Sequence, residues 1–187
     1  MRSLIGCGIV LVFASFASLT TASFAQAPEL PKPAKEHELL KQFVGEWTVT
    51  AETVPAPGQE AMRCQGTETA KMVGGFWLVN QGESNMFGTT VNSQMTLGYD
   101  PGKKKYIGTF FCSMDSTLWK YEGTMDEAGK KLTLETTGPS PMDPTKTARY
   151  RETLELKTPN HKVFTSYMQV EGGDWVKIVT MDSHRKE

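Results

Sequence analysis

After residue 45 no stretch of the chain carries a convincing helical period, and the sequence divides instead into ten strand-length segments with turn residues between them. The segments span 46–52, 62–73, 76–84, 92–99, 106–113, 118–125, 131–137, 148–156, 162–170 and 174–181. Several alternate with period two. Trp47, Val49 and Ala51 oppose Glu46, Thr48, Thr50 and Glu52, and Leu132 and Leu134 oppose Lys131, Thr133 and Glu135. Such alternation buries one face and wets the other, as in antiparallel sheet. The connectors Asp100-Pro101-Gly102, Asp126-Glu127-Ala128-Gly129, Pro159-Asn160 and Gly172-Gly173-Asp174 supply residues that short turns need, and only 138–147, with three prolines, reads as a long loop. Ten consecutive antiparallel strands exceed what one open twisted sheet holds comfortably, and closure removes the exposed edges. The expected fold is therefore all-β: a single up-and-down antiparallel barrel of about ten strands, wide enough to hold a small ligand.

Ahead of the strands, Met1-Arg2-Ser3, an apolar stretch from Leu4 to Leu19 and a small, polar segment ending near Ala25 and Ala27 have the layout of a secretory signal peptide. The apolar run is shorter and more polar than a stable membrane anchor needs. The expected organisation is a signal peptide over 1–25, a proline-rich linker over 26–36 and the barrel over 37–187, in a periplasmic or secreted protein. Residues 37–44 make one or two helical turns with Leu39, Leu40 and Phe43 on one face, and Gly45 stops them. Twenty Lys+Arg against 21 Asp+Glu, without a dense basic run, give no footprint for nucleic acid. Removal of the leader deletes Cys7 and leaves Cys64 and Cys112. That pair permits a disulfide in an oxidising compartment, although two buried free thiols are the commoner arrangement.

Gly45-Glu46-Trp47 after a helical turn resembles the Gly-x-Trp signature of calycins, the lipocalin and fatty-acid-binding barrels. Together with Gly66-Thr67-Glu68, Gly74-Gly75-Phe76, Gly98-Tyr99-Asp100-Pro101, Tyr106-Ile107-Gly108, Trp119 to Thr124, Tyr150-Arg151-Glu152 and Phe164 to Tyr167, it forms an ordered set over roughly 36–186. That set resembles a bacterial family known only as a domain of unknown function, number 1579. The resemblance implies a lipocalin-like barrel and no established activity. It also implies that Trp47 closes the barrel floor beneath Arg185 from the final strand, a cation over an aromatic face acting as a structural plug.

Nucleophile–base and metal constellations are not evident. There are three histidines, and no Gly-x-Ser-x-Gly, His-x-x-x-His, Cys-x-x-Cys or phosphate loop occurs. No catalytic residue, metal site or cofactor is assigned. The nitrobindin relatives of this barrel bind haem through a late histidine, which here would be His184 or His161, but His184 falls in a polar tail. Better candidates are polar residues at inward strand phases. Glu68 interrupts the apolar row Met62, Cys64, Gly66, Ala70 and Met72, and Glu152 interrupts Ala148, Tyr150, Leu154 and Leu156. A buried acid needs a partner, and Arg151 is the expected one, provided that a register break turns it inward beside Glu152. With the aromatic residues Phe76, Phe110, Trp119, Tyr121, Tyr150 and Tyr167, these three charged residues form the expected ligand-binding set. The leading functional expectation is an exported barrel binding a small apolar or amphipathic molecule. The alternatives are an interaction module with a filled barrel, and a barrel enzyme using Glu68 or Glu152 as acid or base or carrying haem. Oligomeric state is left open.

Overall fold

The computed structural model describes residues 29–55, 60–141, 143 and 145–187. The expected signal peptide lies outside the described residues. Glu29–Pro31 carry no regular structure, and the compact unit Lys32–Glu187 contains the barrel.

A short helix, α1 (Lys35–Leu40), runs into one 3₁₀ turn, Lys41–Phe43. Ten strands follow: β1 (Gly45–Thr53), β2 (Arg63–Val73), β3 (Trp77–Met86), β4 (Thr89–Asp100), β5 (Lys105–Cys112), β6 (Trp119–Met125), β7 (Lys131–Pro139), β8 (Thr147–Thr158), β9 (His161–Gln169) and β10 (Trp175–Arg185). Each pairs antiparallel with its neighbour in sequence, and β1 pairs with β10, so the sheet closes. The closing register sets Trp47 opposite Arg185. Among the described residues, no helix is long and apolar enough to cross a membrane.

The largest departures from the expected segments lie at strand ends. β10 continues to Arg185, so His184 is a strand residue rather than part of a polar tail. β3 and β4 run on to a two-residue turn in which Phe87 and Gly88 both hold positive φ, 54° and 80°, and Asn85 Oδ1 accepts from the Gly88 N–H at 3.0 Å. Positive φ at both central positions gives the hairpin twist that matches its strands, at a steric cost for Phe87. Both strands extend because pairing continues through Asn85↔Thr90 and Met86↔Thr89, beyond the polar residues Asn85 and Asn92 that bound the expected segments.

The packed core lies at the helical end. Leu40 and Phe43 enter the barrel and meet Leu78, Leu97, Tyr106, Leu132 and Leu134, while Leu39 stays largely exposed. The Tyr106 hydroxyl donates to the Glu36 carbonyl at 3.0 Å, and the Gln42 amide donates to the Gly129 carbonyl at 2.7 Å, tying the helical segment to β5 and to the β6–β7 turn. His37 is buried edge-on against Phe76 and Tyr99, and the Ala34 N–H donates to its Nδ1 at 2.9 Å. Short turns and the helix seal this floor. The longer connections gather at the other end, the mouth.

Candidate functional site

Above the floor the barrel encloses a cavity of about 750 Å³, bounded chiefly by apolar side chains. It continues to the mouth, where Met62, Phe87 and Met114 are exposed and Pro139 at the end of β7 and Pro141 from the loop beyond it also contribute. Alternation explains the lining. Inward positions are small on several strands, with Ala51, Cys64 and Ser84 standing where a large aliphatic residue would fill the space. Trp119 lies edge-on to Tyr150 at 5.0 Å between ring centres, and it packs against Gly138, where a Cβ would come within 2.2 Å of the indole. The Tyr150 hydroxyl donates to the Pro139 carbonyl at 2.6 Å, which holds the loop against the rim.

Trp47 lies beneath the cavity, outside its lining. It is wholly buried, and its indole N–H donates to the Phe43 carbonyl at 3.1 Å. The Arg185 guanidinium carbon lies 4.2 Å from the ring centre. Arg185 also donates to the carbonyls of Val44, Gln42 (3.2 Å) and Pro159 (3.1 Å), so it holds the incoming chain as well as covering the indole. Gly45, at φ +134°, is needed there, because a Cβ would strike the guanidinium at 2.1 Å.

Besides Asp115 at the mouth, two carboxyl groups from strands, Glu68 and Glu152, line the cavity, as the strand phases predict. Glu68 meets Lys162 Nζ at 2.6 Å, and that ammonium stands 4.6 Å from the centre of the Trp47 ring. Both side chains are largely withdrawn from water, so the pair satisfies the requirement that buried charge be matched. Glu152 stands four residues further along β9 by register, opposite Ser166, about 13 Å of strand above the floor pair. It is only 6% exposed. The Ser166 hydroxyl donates to its Oε1 at 3.0 Å, while Oε2 has no hydrogen-bond partner among the described residues. Burial pushes the Glu152 carboxyl up to about 7, against a smaller lowering by the serine. Burial, with the Glu152 charge as a second cause, likewise raises the Tyr121 and Tyr150 phenols.

Of the expected ligand-binding set, Glu68, Phe110, Trp119, Tyr121, Tyr150 and Glu152 line the cavity. Arg151, Tyr167 and Phe76 do not. The register around Glu152 is unbroken, with Tyr150↔Met168, Arg151↔Tyr167 and Glu152↔Ser166, so Arg151 and Tyr167 face outward together. Arg151 pairs with Glu135 at 2.9 Å and lies 4.1 Å from the Trp175 ring centre. The expected inward turn of Arg151 is therefore corrected, and Lys162 takes the role of interior cation. Its signal was the β9 phase: Lys162 shares parity with Phe164 and Ser166. Phe76 sits in the β2–β3 turn against His37 beneath the floor. Cys64 and Cys112 are free thiols, and both line the cavity.

Among the described residues no histidine lines the cavity, so the lining does not offer a haem iron the histidine ligand that the family resemblance implies. Pairing of β9 with β10 instead sets His161 beside His184 on the outer wall, stacked at 4.5 Å. Asp182 meets both rings through separate oxygens, at 2.9 and 2.8 Å. Among the described residues, the ligand atoms of these three side chains lie within 4.8 Å of one another, a spacing compatible with a metal ion. The linear sequence hides this convergence, because 161 and 184 meet only through cross-strand register.

The family model described as "Protein of unknown function (DUF1579)" matches residues 32–185. The crystal structure of Rv2717c from M. tuberculosis is similar at a TM-score of 0.61 and 14% identity, covering 83% of this chain and 100% of that one. A redesigned β-barrel, b11L5F_LGL, is similar at 0.42 and 14% identity, covering 81% and 96%. Another, mFAP0, bound to DFHBI, reaches 0.41 at 10% identity, covering 77% and 99%. The first of these likenesses shows the barrel fold. No curated protein matches the sequence.

Proposed function

The chain belongs to the DUF1579 family of β-barrel proteins of unknown function, and we propose that it binds a small apolar or amphipathic molecule inside the barrel. The observation that carries this reading is the cavity itself. At about 750 Å³ it has the size of small-molecule sites, and its mostly apolar lining with a few convergent polar groups has their chemistry. An interaction module with a filled barrel would have no such space. The exposed apolar residues at the mouth give a hydrophobic entry for a ligand arriving from water or from a carrier.

The test is uptake of the neutral dye N-phenyl-1-naphthylamine by the folded protein. Saturable binding at one site, with blue-shifted emission, is expected, and Ala51→Trp, which projects an indole into the cavity, should weaken it. Dye binding that never saturates, or an affinity and emission spectrum that Ala51→Trp leaves wholly unchanged while circular dichroism shows the fold intact, would place the dye outside the barrel and remove the support. The leader-like segment 1–25 supports export before binding; N-terminal sequencing of the exported protein should then begin at Gln26. A second reading, proton transfer by Glu152 on a bound substrate, draws on the same buried carboxyl. It predicts chemical conversion of the ligand that Glu152→Gln abolishes.

A further inference from the structure

The two strand carboxyl groups of the interior differ in one respect: Glu68 has an ammonium at 2.6 Å, and Glu152 has none among the described residues. Resting on the ligand-binding reading above, we propose that Glu152 receives its ammonium from the ligand, so that the barrel selects an apolar molecule with a protonated amine head. The Glu152 carboxylate, whose Oε2 is buried and without a hydrogen-bond partner among the described residues, turns to accept from the amine, and the apolar body occupies the space bounded by Phe110, Phe164 and Met95.

Charge within the cavity argues against the opposite head group. The acidic and basic residues of the lining are Glu68, Asp115 and Glu152 against Arg63 and Lys162. Arg63 is at the mouth, exposed and paired with Glu52 at 3.1 Å, and Lys162 is committed to Glu68. An incoming carboxylate finds no unpaired cation and meets a second acid, whereas an incoming ammonium neutralises one. The orphaned amide oxygen of Asn80, also in the lining, gives no comparable selection, because an asparagine can answer a donor or an acceptor by turning its amide end to end. Glu152 in its ionised form accepts only.

The groups around Glu152 leave the ammonium role open. Ser166 from β9 is satisfied against Oε1, Leu134 from β7 is apolar, and Tyr121 from β6 and Tyr150 from its own strand stay neutral because burial raises their phenols. No cation from a neighbouring strand reaches the carboxyl among the described residues.

The experiment displaces N-phenyl-1-naphthylamine with decylamine, 1-decanol and decanoic acid, which share one chain and differ in the head. At pH 7.5 decylamine should displace the dye at a concentration at least tenfold below the other two. Glu152→Gln should erase that advantage while dye and decanol binding persist. Equal displacement by all three, a lead for decanoic acid, or an amine preference that survives Glu152→Gln would overturn the proposal. Should Glu152→Gln fail to fold, the wild-type protein still decides: decylamine binding should tighten from pH 6 to pH 8 while decanol binding stays level, and a flat amine profile would count against it. Failure of the dye itself to bind removes the carrier reading together with this one, whereas dye binding without head-group selection removes only this one.

Discussion

At the floor of the cavity Glu68 faces the Lys162 ammonium, with Trp47 stacked behind it; further up the wall Glu152 has one serine hydroxyl and an oxygen left over. The two acids share a phase, a fold and an apolar setting, yet only one is neutralised from within. Where the barrel must stay shut, the buried acid has been matched by another residue of the chain. Where it opens into free volume, the match is missing, and a buried polar group without a partner is costly to maintain unless something else uses it.

The largest effect should come from breaking the matched region. Lys162→Met keeps the length of the side chain but leaves Glu68 buried and unpaired, and should cost about 3–5 kcal/mol in urea unfolding. The double variant Lys162→Met/Glu68→Gln should recover most of that loss.

Glu152→Gln should act in the opposite direction. Below its ordinary value of 4.5 the carboxyl is protonated in both the folded and the unfolded chain and contributes nothing to the pH dependence. Between 4.5 and about 7 the unfolded chain ionises first, so the folded state loses stability as pH rises, and the penalty is complete above about 7. A displacement of that size corresponds to about 3 kcal/mol, of which the glutamine should return about 1–3 kcal/mol at pH 8 and little at pH 4. Urea unfolding at the two pH values checks the sign: a destabilised variant at pH 8 would mean that Glu152 is already paired.

The smallest effect belongs to the outer wall. Arg151→Ala removes an exposed pair with Glu135 and a stacking contact on Trp175, and should change stability by about 1 kcal/mol or less, without altering dye binding. A loss of about 3 kcal/mol or more would turn Arg151 inward after all.

How much of this was legible before folding depends on range. Alternation is local, so the ten strands and the inward phase of Glu68 and Glu152 could be read from neighbours along the chain. The partner of an interior acid is not local. Arg151 is adjacent to Glu152 in sequence and for that reason faces the other side of the sheet, whereas Lys162 reaches Glu68 across a barrel that closes through β1 and β10. The same limit hid the His161, Asp182 and His184 cluster, whose members sit on paired strands. Aromatic residues in the turns and on the wet face, Phe76 and Tyr167, were misplaced because aromatic character marks burial against something without saying which side of the sheet provides it. The cavity has no sequence signature beyond small inward residues such as Ala51 and Ser84, since free volume depends on the shape of the whole circuit.

The unmatched carboxyl can be observed directly. A ¹³C NMR titration of the Glu152 side-chain carboxyl in the folded protein should show a midpoint at about 7, falling when decylamine is added because the ammonium favours the ionised form. A midpoint at the ordinary 4.5, unmoved by the amine, would show a carboxyl already solvated or paired and would contradict an unmatched acid in the cavity wall.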